Sequence, residues 1–280
     1  MRRTNLLLLA GIFLFLGCTE TEKRGGEPSE KAETDAPEKA RVSKKIEREI
    51  PVEQDFFQIT NISNTTVDFT TGDFNVWIEG DSAQVSHVSF DFDGGILTIT
   101  TPLDVNNDIT NFPSGSDVVV HVSCPDLRTM AICAGGGFIC RETLKTDYFQ
   151  LGGMVGGSIA IDSISCDRFR YDSNGNTALH IGGVGSRESV IITTGGGTLN
   201  LNMDARESCY LDVKGGSTVN MCVNTPKLES MIETKGAVNL TMDTQELLLD
   251  ALAGNISLSG HAGRPKIRKG KLAIVSDGMK

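Results

Sequence analysis

The chain has 280 residues, 36 acidic against 26 basic side chains for a net charge of −10, and 31 glycines but only one Trp and three Tyr. An acidic balance of this size disfavours nucleic acid and anionic polymers as general partners. The glycine density, with no 3.6-residue apolar period, excludes a helical solenoid, and the shortage of Tyr and Trp leaves little material for an aromatic sugar platform.

At the amino end, Met1-Arg2-Arg3 is a basic segment followed by an apolar run of eleven residues, Leu6 to Leu16. The run is too short to span a bilayer and has the length of a signal peptide core. Leu14-Phe15-Leu16-Gly17-Cys18 resembles the bacterial lipobox. That resemblance implies that residues 1–17 are removed and that Cys18 is acylated, so that the membrane is a partner through the lipid on Cys18. The plainer alternative is an ordinary signal peptide or an uncleaved anchor. Loss of Arg2 and Arg3 leaves 36 acidic and 24 basic residues, a mature charge of −12.

Residues 18–50 are almost free of large apolar groups, and beyond Cys18 they mix nine acidic with eight basic side chains. Such a stretch buries too little to order itself and reads as a flexible tether. Thr19-Glu20-Thr21-Glu22 resembles the acidic signal that sends some Bacteroidetes lipoproteins to the cell surface. The expected location is the outer membrane, with surface and periplasmic orientation both open.

Residues 51–280 are long enough for one continuous core. Strand patterns stand at Phe74 to Ile78, Ile96 to Thr100 and Val118 to Val122, and Pro102, Pro113 and the polar run 104–108 mark a loop. Asp81-Ser82-Ala83 and Asp162-Ser163-Ile164 resemble Asp-Ser/Thr-aliphatic sites of O-glycosylation, which makes Ser82 and Ser163 candidates for modification. From there a phrase recurs: Gly197 to Asp204, Ser217 to Asn224 and Gly236 to Asp243 each read small-x-aliphatic-Asn-aliphatic-x-aliphatic-Asp/Asn. With looser copies its anchors are Ile139, Ile159, Leu179, Leu199, Val219, Val238 and Ile256, spaced 20, 20, 20, 20, 19 and 18 residues apart. That period signals a solenoid. Alternation within each phrase points Leu199, Leu201 and Met203 inward and Asn200 and Asn202 outward. A second apolar pair, as in Phe149/Leu151, Phe169/Tyr171 and Cys209/Leu211, precedes each anchor, with glycines at the turns. The fold class is therefore all-β, a parallel β-helix, right-handed by the crossover rule. Coils of about 20 residues fit about eleven times into the domain at a spacing of about 4.8 Å.

His180, Asn200, Asn220, Asn239 and Ser257 each follow an anchor by one residue and should stack into an outward polar row. The row reads first as a structural amide ladder and second as a ligand face for an extended polymer. Asp204 and Asp243 fall in equivalent phases with Asn224 between them; they read as turn caps, with Ca²⁺ binding or an acid pair as the sharper alternatives. Arg264, Lys266, Arg268, Lys269 and Lys271 crowd into eight residues. A basic edge that blocks strand pairing explains them most simply; binding an anionic glycan or lipid headgroup is the alternative. Beyond Cys18 the cysteines are 124, 133, 140, 166, 209 and 222, without a Cys-x-x-Cys pair, and read as free, mostly buried thiols. The four histidines, His87, His121, His180 and His261, lack ligand spacing. No nucleophile elbow, His-Glu-x-x-His, P-loop or dinucleotide fingerprint is present, so no catalytic residue, metal or cofactor is assigned.

The order of elements, from Phe74 to Ile78 through Gly95 to Ile99 and the Val120 to Leu127 segment into Gly-x-aliphatic-Asn rungs, resembles the putative auto-transporter adhesin head GIN domain family of Bacteroidetes lipoproteins. The resemblance covers about residues 51–275. Arg141 departs from it, standing where an inward aliphatic is expected after Ile139, and His180 and Ser257 replace the rung Asn. The family implies a right-handed β-helix on the outer envelope. Together these readings predict an envelope lipoprotein whose β-helix binds a surface glycan or protein. A polysaccharide lyase or hydrolase on the same scaffold, or a non-binding structural spacer, are the alternatives, since solenoids host all three.

Overall fold

A computed structural model of the chain describes residues 44–101 and 117–279. The leader, Cys18, residues 18–43 of the charged stretch and the loop at 102–116 lie outside them. The described chain is all-β but for one turn of helix: β1 (Lys45–Glu49), β2 (Gln58–Ile62), β3 (Thr66–Thr71), β4 (Asn75–Asp81), α1 (Ser82–Val85), β5 (Ser89–Asp93), β6 (Ile96–Thr100), β7 (Val119–Cys124), β8 (Thr129–Cys133), β9 (Gly137–Met154), β10 (Gly157–Asn174), β11 (Thr177–Thr193), β12 (Gly197–Gly215) and β13 (Thr218–Met279). All thirteen strands join one sheet.

From β9 onward the molecule is a parallel β-solenoid. Ile159 faces Leu179, Leu179 faces Leu199 and Leu199 faces Val219, a step of 20 residues. The ladder between β10 and β11 lapses at Asp162 and again around Asp167, which divides a coil into three segments. Inward positions are the expected aliphatics and aromatics: Ile159, Ile161, Ile164, Phe169, Tyr171, Leu199, Leu201 and Leu211 are all buried. Burial on one phase of every segment is what holds the coils together, because each side chain packs on its equivalents above and below.

The corner between the third segment and the next coil is built from glycines. Position 195 shows why: a Cβ there would lie 2.2 Å from the Gly175 carbonyl oxygen of the coil below, so nothing larger than Gly fits. The hydroxyls buried at this corner bond to the turn backbone, Ser217 donating to the Gly195 carbonyl at 2.9 Å and Thr234 to the Gly215 carbonyl at 3.2 Å. They satisfy carbonyls that the turn would otherwise leave unpaired. Two coils break the glycine series that holds at 175, 195 and 215: at the equivalent positions Ala134 and exposed Val155 take the left-handed conformation at φ 64° and 58°, which is unfavourable above all for the β-branched Val155.

Residues 45–133 keep the strand pattern without the clean repeat, and they depart from the expectation that about eleven coils stack in chain order. Here β2 and β3 form a coil that is first in sequence but second in space, since β2 pairs β6 on one side and β8 on the other, and β3 pairs β7 and β9 likewise. The end is then closed by antiparallel strands, β5 on β6, β4 on β7 and β1 on β4. Aromatic packing fills this end: the Phe56 ring lies 5.3 Å from Phe74 and 5.9 Å from Phe92. β1 itself lies inside the charged stretch 18–50; its Lys-Ile-Glu-Arg-Glu carries no strand signal, and pairing with β4 supplies the order.

The phase of the first regular coil is also corrected. Ile159 faces Phe138, not Ile139, because a bulge at Ile161/Ser163 makes this step 21 residues. Phe138 and Cys140 are therefore the inward pair, Ile139 points out, and Arg141 is an exposed residue in its proper phase rather than a misplaced core position.

Candidate functional site

The predicted polar row exists. His180 faces Asn200 and Asn200 faces Asn220. The Asn220 amide donates to the Asn200 side-chain oxygen at 2.9 Å, and Asn239 donates to Asn220 at 2.8 Å. Beyond Asn239 the step shortens to 18, marked by the 3.0 Å hydroxyl contact of Thr241 with Ser259, and this sets Ser257 over Asn239. Asn220, the middle amide, thus donates to Asn200 and accepts from Asn239 along the axis.

The row continues where sequence reasoning did not follow it. Through Ala160 and Ile139 it passes to Asp68 of β3, then His121 of β7, Trp77 of β4 and Glu49 of β1. The Trp77 and His121 rings stack at 3.8 Å and 7°. His121 Nε2 lies 3.2 Å from Glu79, its Nδ1 lies 3.9 Å from Asp68, and Arg141 donates to both Asp68 oxygens at 2.9 Å. These residues come from four strands whose spatial order, β4, β7, β3, β9, is not their chain order, so no spacing in the sequence announces them. The cluster knits the antiparallel end to the first full coil.

Beside the row, at the bend between first and second segments, runs an open groove of about 620 Å³. Gly183 and Gly185 lower its wall in one coil, and Ser163, Asn202, Asp204, Asn224 and Asp243 line it in others. Asn224 donates to Asp204 at 3.2 Å across one coil, so these residues link coils where turn caps were expected. Ser163 sits at the bulge beside exposed Asp162, half-buried, with its hydroxyl 2.6 Å from that of Thr143. The other candidate serine, Ser82, begins α1 and is half-buried, with the Asp81 carboxylate capping the helix through Ala83 and Gln84. Cys18 lies outside the described residues.

A second axial ion ladder lies at the next bend. Arg187 bonds Asp167 of the coil before at 3.0 Å and Glu207 of the coil after at 3.0 Å. The Arg187 hydrogen bond holds the Asp167 carboxyl below its usual range, and Asp167 in turn raises the guanidinium, with Glu207 assisting. All three are solvated, so the ladder contributes little to stability. The cysteines of the described chain are free. Burial pushes the thiols of Cys124 and Cys209 up to about 12 and those of Cys140 and Cys166 to about 11, whereas Cys222 stands exposed on the groove. Among the described residues no group of three or more His, Cys, Asp or Glu is placed to hold a metal ion.

Residues 55–226 match the family model described as "Putative auto-transporter adhesin, head GIN domain". No curated protein matches the chain significantly. Among solved structures, a putative adhesin of Parabacteroides distasonis is similar at 12% identity over 85% of this chain and 97% of its own, with a TM-score of 0.66. A putative adhesin of Bacteroides fragilis is similar at 16% over 77% and 97%, TM-score 0.60. A protein of P. distasonis described as a putative lipid-binding protein is similar at 12% over 84% and 96%, TM-score 0.61. At these identities the structures show a shared fold.

Proposed function

Because the chain belongs to the head GIN domain family, we propose that it is an outer-membrane lipoprotein, acylated at Cys18, whose solenoid binds an extended surface glycan or protein segment and performs no catalysis. The observation that carries this reading is the groove along the first bend. It runs across successive coils, its floor is the outer edge of the core, and its rim presents amides, carboxylates and hydroxyls at the roughly 4.8 Å pitch of neighbouring strands. An extended ligand meets an Asp or Asn, at Asp204, Asn224 and Asp243, on three successive coils along such a surface. The Asn200, Asn220, Asn239 row next to it has its amides committed to one another and serves as scaffold. The adhesin descriptions of similar structures agree with a binding role.

The lyase or hydrolase alternative is less well supported. Asp204 and Asp243 are two coils apart, about 9.6 Å by strand spacing, wider than the ~5–5.5 Å of a retaining pair and at the outer limit of an inverting one. Both are exposed, whereas a general acid of this kind is held protonated by an apolar surrounding.

Gly183 offers a clean test. A Cβ there meets nothing within 4 Å, so a side chain can be added at this position, and Gly183→Leu puts its bulk into the groove that Gly183 lines. Purified protein is screened against surface polysaccharides and envelope proteins, scoring binding and cleavage together. Loss of binding by Gly183→Leu at unchanged thermal stability supports the groove; full retention moves the ligand elsewhere, and turnover of any polysaccharide replaces the binding reading with the enzymatic one. Anchoring is checked separately: Cys18→Ala should release the protein from membranes, and an unchanged membrane fraction would refute the anchor.

A further inference from the structure

The two ends of the solenoid are finished differently. At the amino end, side chains of β1 and of the segment before β2 reach β5 and its approach, Gln54 bonding the Phe92 carbonyl within β5 and Arg48 the Val88 carbonyl just before it at 3.1 Å. At the carboxyl end, β13 runs to Met279, and in its last turn the inward-facing residues thin out to Ala273 and the half-buried Val275 and Met279. Leu272 and Ile274, on the opposite phase from Ala273, are 78% and 64% exposed. They adjoin the run Arg264 to Lys271, which holds five cations and no acid in eight residues of an otherwise acidic chain. Arg268 is bonded to Asp250 of the previous coil; Arg264, Lys266, Lys269 and Lys271 are exposed.

We propose that this carboxyl-terminal end docks on an anionic lipid surface, the cations contacting headgroup phosphates and Leu272 and Ile274 entering the interfacial layer. Cations flanking exposed aliphatic side chains are the combination by which a peripheral surface gains from both headgroup attraction and apolar burial. A second copy of the chain fits less well. Two identical basic edges repel one another, and at the amino end that a head-to-tail contact requires, side chains already bond the Phe92 carbonyl of β5 and the Val88 carbonyl just before it. The docking surface is separate from the groove, so it stands whether or not the groove binds a polymer.

The test uses the full chain carrying Cys18→Ala, so that no acyl group contributes, and vesicles of phosphatidylethanolamine containing about one-third phosphatidylglycerol, with phosphatidylcholine vesicles as the neutral control. The chain should co-sediment with the anionic vesicles only, and less as salt rises. The triple variant Lys266→Gln, Lys269→Gln, Lys271→Gln should lower partition on the order of 100-fold, about fivefold per cation. Leu272→Ser with Ile274→Ser should lower it roughly tenfold, with thermal unfolding unchanged in both variants. Equal partition onto both vesicle types, or full binding by the triple variant, overturns the proposal. So does an unbound wild type whose concentration-dependent self-association is abolished by the Leu272 and Ile274 changes, which would assign the edge to a second copy.

Discussion

The amino-terminal end, residues 45–133, and the coils from 137 onward share one sheet but solve the problem of burial in opposite ways. In the coils each residue packs on its equivalents about 20 positions away, so a single inward aliphatic phase with glycine corners suffices. At the amino end there is no further coil to stack on. The chain instead turns strands antiparallel, inserts β2 and β3 between later strands, and fills the space with Phe56, Phe74 and Phe92. Repetition makes a core cheap in sequence, and terminating it takes aromatic volume and charged edge strands.

The largest effects should come from violating the inward phase common to both regions. Leu201→Asp or Leu240→Asp, and Ile78→Asp at the amino end, place a carboxylate at positions 3% exposed or less and should cost several kcal/mol, on the scale of the whole domain's stability. Asn202→Asp and Thr241→Asp on the exposed phase lose only solvated bonds to the Gly182 carbonyl and the Ser259 hydroxyl, and should lower the unfolding free energy by about 1 kcal/mol or less. Equal tolerance on the two phases would show that the strand faces are misassigned.

Next come the glycine corners, which only the coils possess. Gly195→Ala should destabilise by about 1–3 kcal/mol, because its Cβ meets a backbone carbonyl that cannot yield. Gly183→Ala, in open space, should be nearly neutral. Val155→Gly inverts the experiment: it relieves a β-branched residue at φ 58° and should raise the unfolding free energy by up to about 1 kcal/mol. A fall in stability would mean that the packing of Val155 outweighs its backbone cost.

The junction of the two regions is probed by a double-mutant cycle on Trp77→Ala and His121→Ala. Their ring stack should yield a coupling of about 0.5–1.5 kcal/mol; additivity would reduce the cluster to independent side chains. Smaller still, Asn200→Thr, Asn220→Thr and Asn239→Thr combined should lose about 1 kcal/mol for two solvated amide bonds while leaving ligand affinity intact. Unchanged stability with lost affinity would instead make the row a binding face.

Thiol chemistry separates inward from outward without altering stability. Burial raises the inward thiols, so the reactive thiolate is scarce there, and at pH 8 Cys222 should alkylate far faster than Cys209, whose thiol is held at about 12. Reaction of Cys209 should appear only on unfolding, which peptide mass mapping reports.

The period, the inward phase from Ile159 onward and the glycine corners were legible in the sequence, as was the stacking of Asn200, Asn220 and Asn239. Each depends on residues a constant step apart, and a constant step is visible in one dimension. Ile139 lies one residue out of the inward phase because a single bulge lengthens the step to 21, and a shift of one residue reverses in and out. The entry of β1 into the sheet, the insertion of β2 and β3 and the meeting of Trp77, His121, Asp68 and Arg141 were decided by tertiary structure alone. So were the groove, which exists where Gly183 and Gly185 leave a coil narrow, and the exposure of Leu272 and Ile274, whose strand pattern is that of a buried rung. Periodicity states which side of a strand is apolar. Which edge remains open for that strand depends on every other strand already placed, and that information is not local.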